Sequence, residues 1–325
     1  MADKKEKKKN TGKTPVKKLR IKHDEVVKDF LSDKKTAESF FKEYLPTEVV
    51  RNLDFNTLQI CKDSFLNKKL AKYFSDILYQ ANLNDLDLFI YLLIDHKSRK
   101  ERFMSFQFLK YMVRIWELYL KQNKKAETLP VIIPIVIYHG LSEWKVDTRF
   151  SSLFKAPGYI KEYIPDFNIN LFDISHVSDE EIKGELLLRI LFFTLKYISK
   201  PELKYKLREE ILPLFSELED KAKRNEYLEV LLEYLSRSAG NLPEKELNDT
   251  VTQIFDEGGD LMATLSEKWM KQGEQKGKQE GKQEGKWDVV RNSLKEGLPI
   301  KTIERITGFP SEEIVRFKEK IAHIS

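Results

Sequence analysis

Asp95 and Lys97 stand two residues apart at the end of the apolar run Tyr91-Leu92-Leu93-Ile94, and a second acid, Asp76, precedes Asp95 by nineteen residues. Side chains alternate along a strand, so positions 95 and 97 fall on one side and His96 on the other. On a neighbouring antiparallel strand, Asp76 reaches that same side. Two carboxylates a few ångströms apart repel unless a cation lies between them, and hard oxygen donors suit Mg²⁺ or Mn²⁺. A cation there polarises a phosphodiester and lowers the pKa of an attacking water. The Lys97 ammonium can orient that water or stabilise charge growing on the phosphate. Asp…Asp-x-Lys is therefore an arrangement suited to metal-dependent phosphodiester hydrolysis. The same residues also read as a strand-end ion pair of small energetic value, with Asp76 in a turn network.

Three strands are expected to position these groups. Residues 72–79 carry Asp76, and Asn82-Leu83-Asn84-Asp85 supplies turn chemistry after them. Residues 87–95 are nearly continuous in apolar character, which suits a central strand covered on both faces. Residues 131–138 form the third, with an edge or bulge at Pro134 because proline lacks the backbone donor. Between the second and third, residues 102–122 repeat Phe108, Leu109, Met112, Ile115, Trp116 and Tyr119 at helical spacing. Upstream, a helix is expected from His23-Asp24, then another over 35–52 divided by Pro46. Downstream, helices are marked by Leu186 to Leu195, by Ile211 to Leu218 with an interruption at Pro213, and by Tyr227 to Leu235.

The tract Gly273 to Lys286 repeats glycine every four residues. It reads either as a helix with a glycine ridge open to a second copy or as a linker, since each glycine costs about 1 kcal/mol in a helix. Two short helices follow, joined through Gly308 to Glu313, with Ser311 as a candidate N-cap.

Bulk properties narrow the class. No apolar run of the 325-residue chain approaches the roughly 20 residues of a membrane span. The basic start has no apolar segment behind it, so no secretory signal is expected. One cysteine, Cys61, excludes an internal disulfide and a cysteine-rich zinc site, and a reducing, cytoplasmic location follows as the default. The net charge of +5 is a property of the tail: residues 1–22 hold ten Lys/Arg against two acids, which leaves −3 for the rest. Such a tail, with Lys17, Lys18, Arg20 and Lys22, reads as a disordered solubilising extension or as a salt-sensitive grip on nucleic acid.

Several runs together resemble one family. These are Ser75 to Tyr79, Tyr91 to Ser98, Met104 to Tyr111, Leu129 to Tyr138, the opening His23-Asp24 with Phe30-Leu31, and the closing glycine tract. The chain is similar to the Rpn recombination-promoting nucleases, also called YhgA-like transposases, over roughly residues 23–320. That resemblance implies a PD-(D/E)xK restriction-endonuclease-like α/β core, a mixed sheet flanked by helices, followed by a helical C-terminal region. It also implies a Mg²⁺-dependent DNA endonuclease of bacterial type, linked to recA-independent recombination. The family's acids fall on Asp76 and Asp95 and its lysine position on Lys97. Many relatives show Glu-His-Gln where this chain has Asp95-His96-Lys97, a departure that leaves the metal chemistry intact. An acid on an N-terminal helix completes the site in such enzymes, for which Glu48 is the candidate and Glu43 its competitor. Gln107 and Tyr111, four apart on one helical face, match a supporting Gln-x-x-x-Tyr pair, although many relatives carry Arg where Gln107 stands; Tyr111 reads equally as core.

The expected organisation is a basic tail (1–22), a nuclease core (23–177), a helical region (178–270), the glycine tract (271–286) and a small helical segment (287–325). The expected partners are DNA and, through the glycine tract, a second copy of the chain, with no membrane. The competing function is a noncatalytic DNA-binding or self-associating protein that keeps the fold. A transposase with three carboxylates on an RNase-H-like sheet fits less well, given Lys97 and the single crossover over residues 98–138.

Overall fold

The computed structural model describes residues 23–61, 77–84, 86–95, 102–240, 242–255 and 258–322. Its centre is a five-stranded mixed sheet in sequential order: β1 (Leu53–Ile60), β2 (Ile77–Leu83), β3 (Leu86–Asp95), β4 (Val131–Tyr138) and β5 (Asn170–Asp173). The first three strands form an antiparallel meander, and β4 and β5 join in parallel. A parallel neighbour requires a crossover, supplied between β3 and β4 by α4 (Met104–Gln122). Three short helices precede the sheet: α1 (His23–Ser32), α2 (Lys34–Tyr44) and α3 (Thr47–Asn52). Pro46 divides the last two as expected.

β3 is the middle strand, in keeping with its apolar run. Leu83 pairs with Leu86, leaving two residues for the hairpin turn, and Asn84 there takes φ 48°. Asparagine tolerates that left-handed backbone better than most residues. Pro134 pairs with Tyr91 of β3 and lies one residue before β5 pairing begins, so β4 has one neighbour there. Two strands were not anticipated. In β1 the polar Asp54, Asn56 and Gln59 interrupt the pattern, only Leu53 and Leu58 are buried, and the register slips between Asp54 and Gln59. β5 has four residues, none fully buried.

Alternation divides the strands between two layers. Leu78, Phe89, Ile132, Val136 and Tyr138 pack with Met104, Phe108, Met112 and Ile115 of α4. On the opposite face Tyr79 meets Phe41 edge-on at 5.0 Å, and its hydroxyl donates to the Leu31 carbonyl at 2.6 Å. Phe172 of β5 meets Phe192 of α5 (Leu186–Tyr197), and Phe192 also meets Phe40 and Tyr44.

Further helices extend this body. α6 (Leu203–Lys206) runs through a π-helical turn (Leu207–Ile211) into α7 (Leu212–Ser216). Pro213 was expected to interrupt this helix. The wider turn just ahead of it instead absorbs the proline's missing donor and the clash of its ring with the preceding turn, so the chain stays helical. α8 (Lys221–Ser238) and α9 (Glu244–Ile254) follow.

Contacts divide the chain into two compact units, residues 1–258 and 259–325. The second holds most of α10 (Gly258–Lys295), with α11 (Ile300–Thr307) and α12 (Ser311–Ala322). α10 runs unbroken through the glycine tract, supported by pairs such as Glu274–Lys278 at 2.6 Å. Its last turns pack Val290 against Ile303 and Ile314, and Trp287 stacks on Phe309 at 4.1 Å. Gly308, at φ 75°, closes α11. Ser311 does not act as an N-cap; it is the first residue of α12 and its hydroxyl binds Glu304.

Candidate active site at the carboxyl end of the sheet

Asp95 is the last residue of β3, in register with Tyr138 at the end of β4, which is in register with Asp173 at the end of β5. One row across three parallel strands therefore carries an acid, a tyrosine and an acid. At the usual strand spacing the two acidic positions are about 10 Å apart. Asp76 and Lys97 lie outside the described residues, so the described part of the proposed triad is the backbone position of Asp95.

The rest of the row is held firmly. The Tyr138 hydroxyl donates to the Ser142 carbonyl at 2.6 Å, and its ring meets Trp144 edge-on at 5.0 Å. The Trp144 and Ser175 amides donate to the Asp173 carboxylate at 3.0 and 3.1 Å, and His176 Nδ1 lies 3.0 Å from both carboxylate oxygens. Asp173 thus ties the loop after β4 to the turn after β5. His139 follows Tyr138 and is buried. Asp173 and His176 were not among the expected site residues. An Asp-x-x-His at a strand end was the available signal, but its tie to Trp144 spans 29 residues.

On α4, the Gln107 amide donates to the Tyr111 hydroxyl at 2.9 Å, and the half-buried Tyr111 packs against the sheet cluster. The two side chains therefore do share a face, and they bond to each other. Glu48 is placed elsewhere. It is exposed on α3 and pairs with Arg51 at 3.1 Å. One turn on, Asn52 accepts from Asn84 at the β2–β3 turn. Asp95 is at the far end of β3, nine residues and on the order of 30 Å away along the strand. The structure does not bring Glu48 to Asp95, because α3 feeds β1 at the hairpin-turn end of the meander and Asp95 closes the other end of β3. Glu43 is exposed on α2. Lys17, Lys18, Arg20 and Lys22 lie outside the described residues. Burial pushes the Cys61 thiol up to about 12, so it is a weak nucleophile.

Among the described residues alone, no three His, Cys, Asp or Glu side chains gather as a metal centre. Nor is any described helix long and apolar enough to cross a membrane.

Comparison with known proteins identifies the family. The family described as "Putative transposase, YhgA-like" matches residues 21–226. The chain belongs to that family. The matched stretch begins ahead of α1 and ends within α8, so it contains all five strands and the positions of Asp76, Asp95 and Lys97. Among curated proteins, the recombination-promoting nuclease RpnA of Escherichia coli K12 is 25% identical over 90% of this chain and 95% of its own length. RpnC of the same strain, likewise a recombination-promoting nuclease, is 27% identical over 90% and 95%. RpnE, an inactive recombination-promoting nuclease-like protein, is 29% identical over 56% and 60%. No solved structure matches. This chain thus has relatives named as nucleases and relatives named as inactive.

Proposed function

We propose that this chain is a metal-dependent DNA endonuclease that promotes recombination, with Asp76, Asp95 and Lys97 at its centre. The observation that supports the reading is the position of Asp95, at the carboxyl end of the middle strand of a helix-flanked mixed sheet. Its relatives' names supply the reaction class. Asp76 and Asp95 would hold Mg²⁺ or Mn²⁺, which when bound would supply polarisation of the scissile phosphate and a more acidic water. Lys97 orients the attacking water or neutralises charge growing on the phosphate. The Gln107–Tyr111 pair stiffens the helix that follows the motif. Lys17, Lys18, Arg20 and Lys22 hold the DNA backbone without sequence preference, so binding weakens steeply with salt.

A plasmid-nicking assay in Mg²⁺ and in Mn²⁺ tests this. Wild type nicks supercoiled DNA, and Asp95→Ala and Lys97→Ala each lose about 10³-fold or more, the scale expected when a group that stabilises transition-state charge is removed. Glu48→Ala, at the other end of β3, stays at the wild-type rate. Cleavage unchanged by Asp95→Ala sinks the assigned site. The second reading, a noncatalytic DNA-binding or self-associating protein with this fold, is favoured by the relatives named inactive. It prevails if wild type binds DNA and never cuts it.

A further inference from the structure

α4 has two apolar faces. The inner one, with Phe108, Met112 and Ile115, is buried against the sheet. On the opposite side Phe106, Val113 and Leu120 are 48, 42 and 45% exposed. They are spaced seven residues apart, which is two helical turns, so they stack in one stripe. Single exposed apolar residues need no explanation, whereas a regular row marks a contact surface. A cavity of about 340 Å³ lies along the stripe, lined among the described residues by Phe106, Leu109, Lys110, Val113, Arg114 and Glu117. Two of these, Lys110 and Glu117, are also seven apart and bring opposite charges into the same row.

We propose that α4 pairs antiparallel with α4 of a second copy of this chain, about a two-fold axis at Val113. The charge pattern selects that occupant. In this pairing Val113 meets the partner's Val113, and Phe106 meets the partner's Leu120. Lys110 then falls beside the partner's Glu117, and symmetry repeats every contact. Each apolar residue of the stripe meets an apolar one and Lys110 meets Glu117 on both flanking contacts, as a self-complementary two-fold interface requires. A parallel pairing would put the Lys110 and Glu117 of the two copies on opposite flanks of the seam, so that neither charge would meet its opposite. The 19 residues of α4 span about 28 Å, and one such face buries less than a standard interface, so the dimer is weak and concentration-dependent. The pairing stands apart from the nuclease reading and is measured without any cleavage assay.

Two experiments on the full-length chain test it. On a Cys61→Ser background, Val113→Cys oxidised with copper phenanthroline gives a disulfide-linked dimer on a non-reducing gel. Lys121→Cys, eight residues from the axis, would be about 24 Å from its counterpart and stays monomeric. On the wild-type background, sedimentation at about 100 µM, a concentration suited to micromolar affinity, shows a dimer component. Lys110→Glu removes it, and Lys110→Glu with Glu117→Lys restores it. The proposal is overturned if Val113→Cys cross-links no faster than Lys121→Cys. It is equally overturned if the double charge reversal fails to restore the component lost in the single one. Association through the glycine tract, or capture of a different protein by the stripe, would leave both readouts blind to these substitutions.

Discussion

Helices α1, α2 and α5 cover one face of the sheet, α4 covers the other, and the two coverings are built from different stretches of chain. The first face joins remote segments. Phe192 touches Phe40, Tyr44 and Phe172. The Thr36 hydroxyl donates to Glu185, 149 residues on, and Lys223 pairs with Asp33 at 2.7 Å across 190 residues. The α4 face is assembled largely from one crossover, with Phe89, Phe108 and Val136 close together in sequence, and its strand ends in Asp95. Long-range closure is thus concentrated on one side and the expected chemistry at the margin of the other. Substitutions on the first face should spend stability and spare cleavage, and those beside α4 should do the reverse.

The largest test of that division is Phe192→Ala. The side chain is fully buried among three rings, and removing it leaves a cavity in the layer that ties the N-terminal helices to α5. We expect a loss of about 3–5 kcal/mol in urea-monitored unfolding, with nicking unchanged well below the melting temperature. Loss of nicking with unaltered stability would show that the two faces are not separate in role.

Asp179 gives a smaller and pH-dependent test. Burial raises its pKa, but hydrogen bonds from Lys196, Lys206 and Tyr197 outweigh this and hold the carboxyl at about 2, below the ordinary 3.8. A depressed carboxylate stabilises the fold above its unfolded value, and that contribution is lost as pH falls from about 4 to 2. Asp179→Ala strands the mostly buried Lys196 ammonium and should cost about 1–3 kcal/mol at pH 7, discounted for the partial exposure of the pair. Its stability should then fall less between pH 4 and pH 2 than that of wild type. Parallel acid profiles for the two proteins would remove Asp179 from the closure of the first face.

Much of this division could be read from the residues in order. The apolar run to Asp95 named the middle strand, the spacing from Phe108 to Tyr119 named α4, and Pro46 named the break between α2 and α3. Signals of that kind are local. β1 escaped because an edge strand with a register slip can carry Asp54, Asn56 and Gln59 in place of an apolar alternation. β5 escaped because four half-buried residues make no period. Pro213 misled because a π-helical turn can absorb what an α-helix cannot. For the candidate site, Asp95 at a strand end was legible, and so was the Gln107–Tyr111 pairing. The misplacement of Glu48 was not, since it depends on α3 entering the sheet at the hairpin-turn end, a fact of topology that no local spacing records.

The finest test compares two tyrosines, one per face. The Tyr79 hydroxyl is buried and donates to the Leu31 carbonyl at 2.6 Å, and burial raises its pKa. Tyr79→Phe removes the donor and leaves a buried carbonyl short of a partner, at a cost of about 1–2 kcal/mol. The Tyr111 hydroxyl is half-buried and accepts from Gln107 at 2.9 Å. Water can replace much of that bond, so Tyr111→Phe should cost under about 0.5 kcal/mol. Nicking should rank the pair the other way: Tyr79→Phe at the wild-type rate, and Tyr111→Phe several-fold slower because Gln107 loses its anchor beside the motif. Equal nicking by both variants would make Tyr111 a core residue only, and the supporting role of the pair would fall while Asp95 and Lys97 kept theirs.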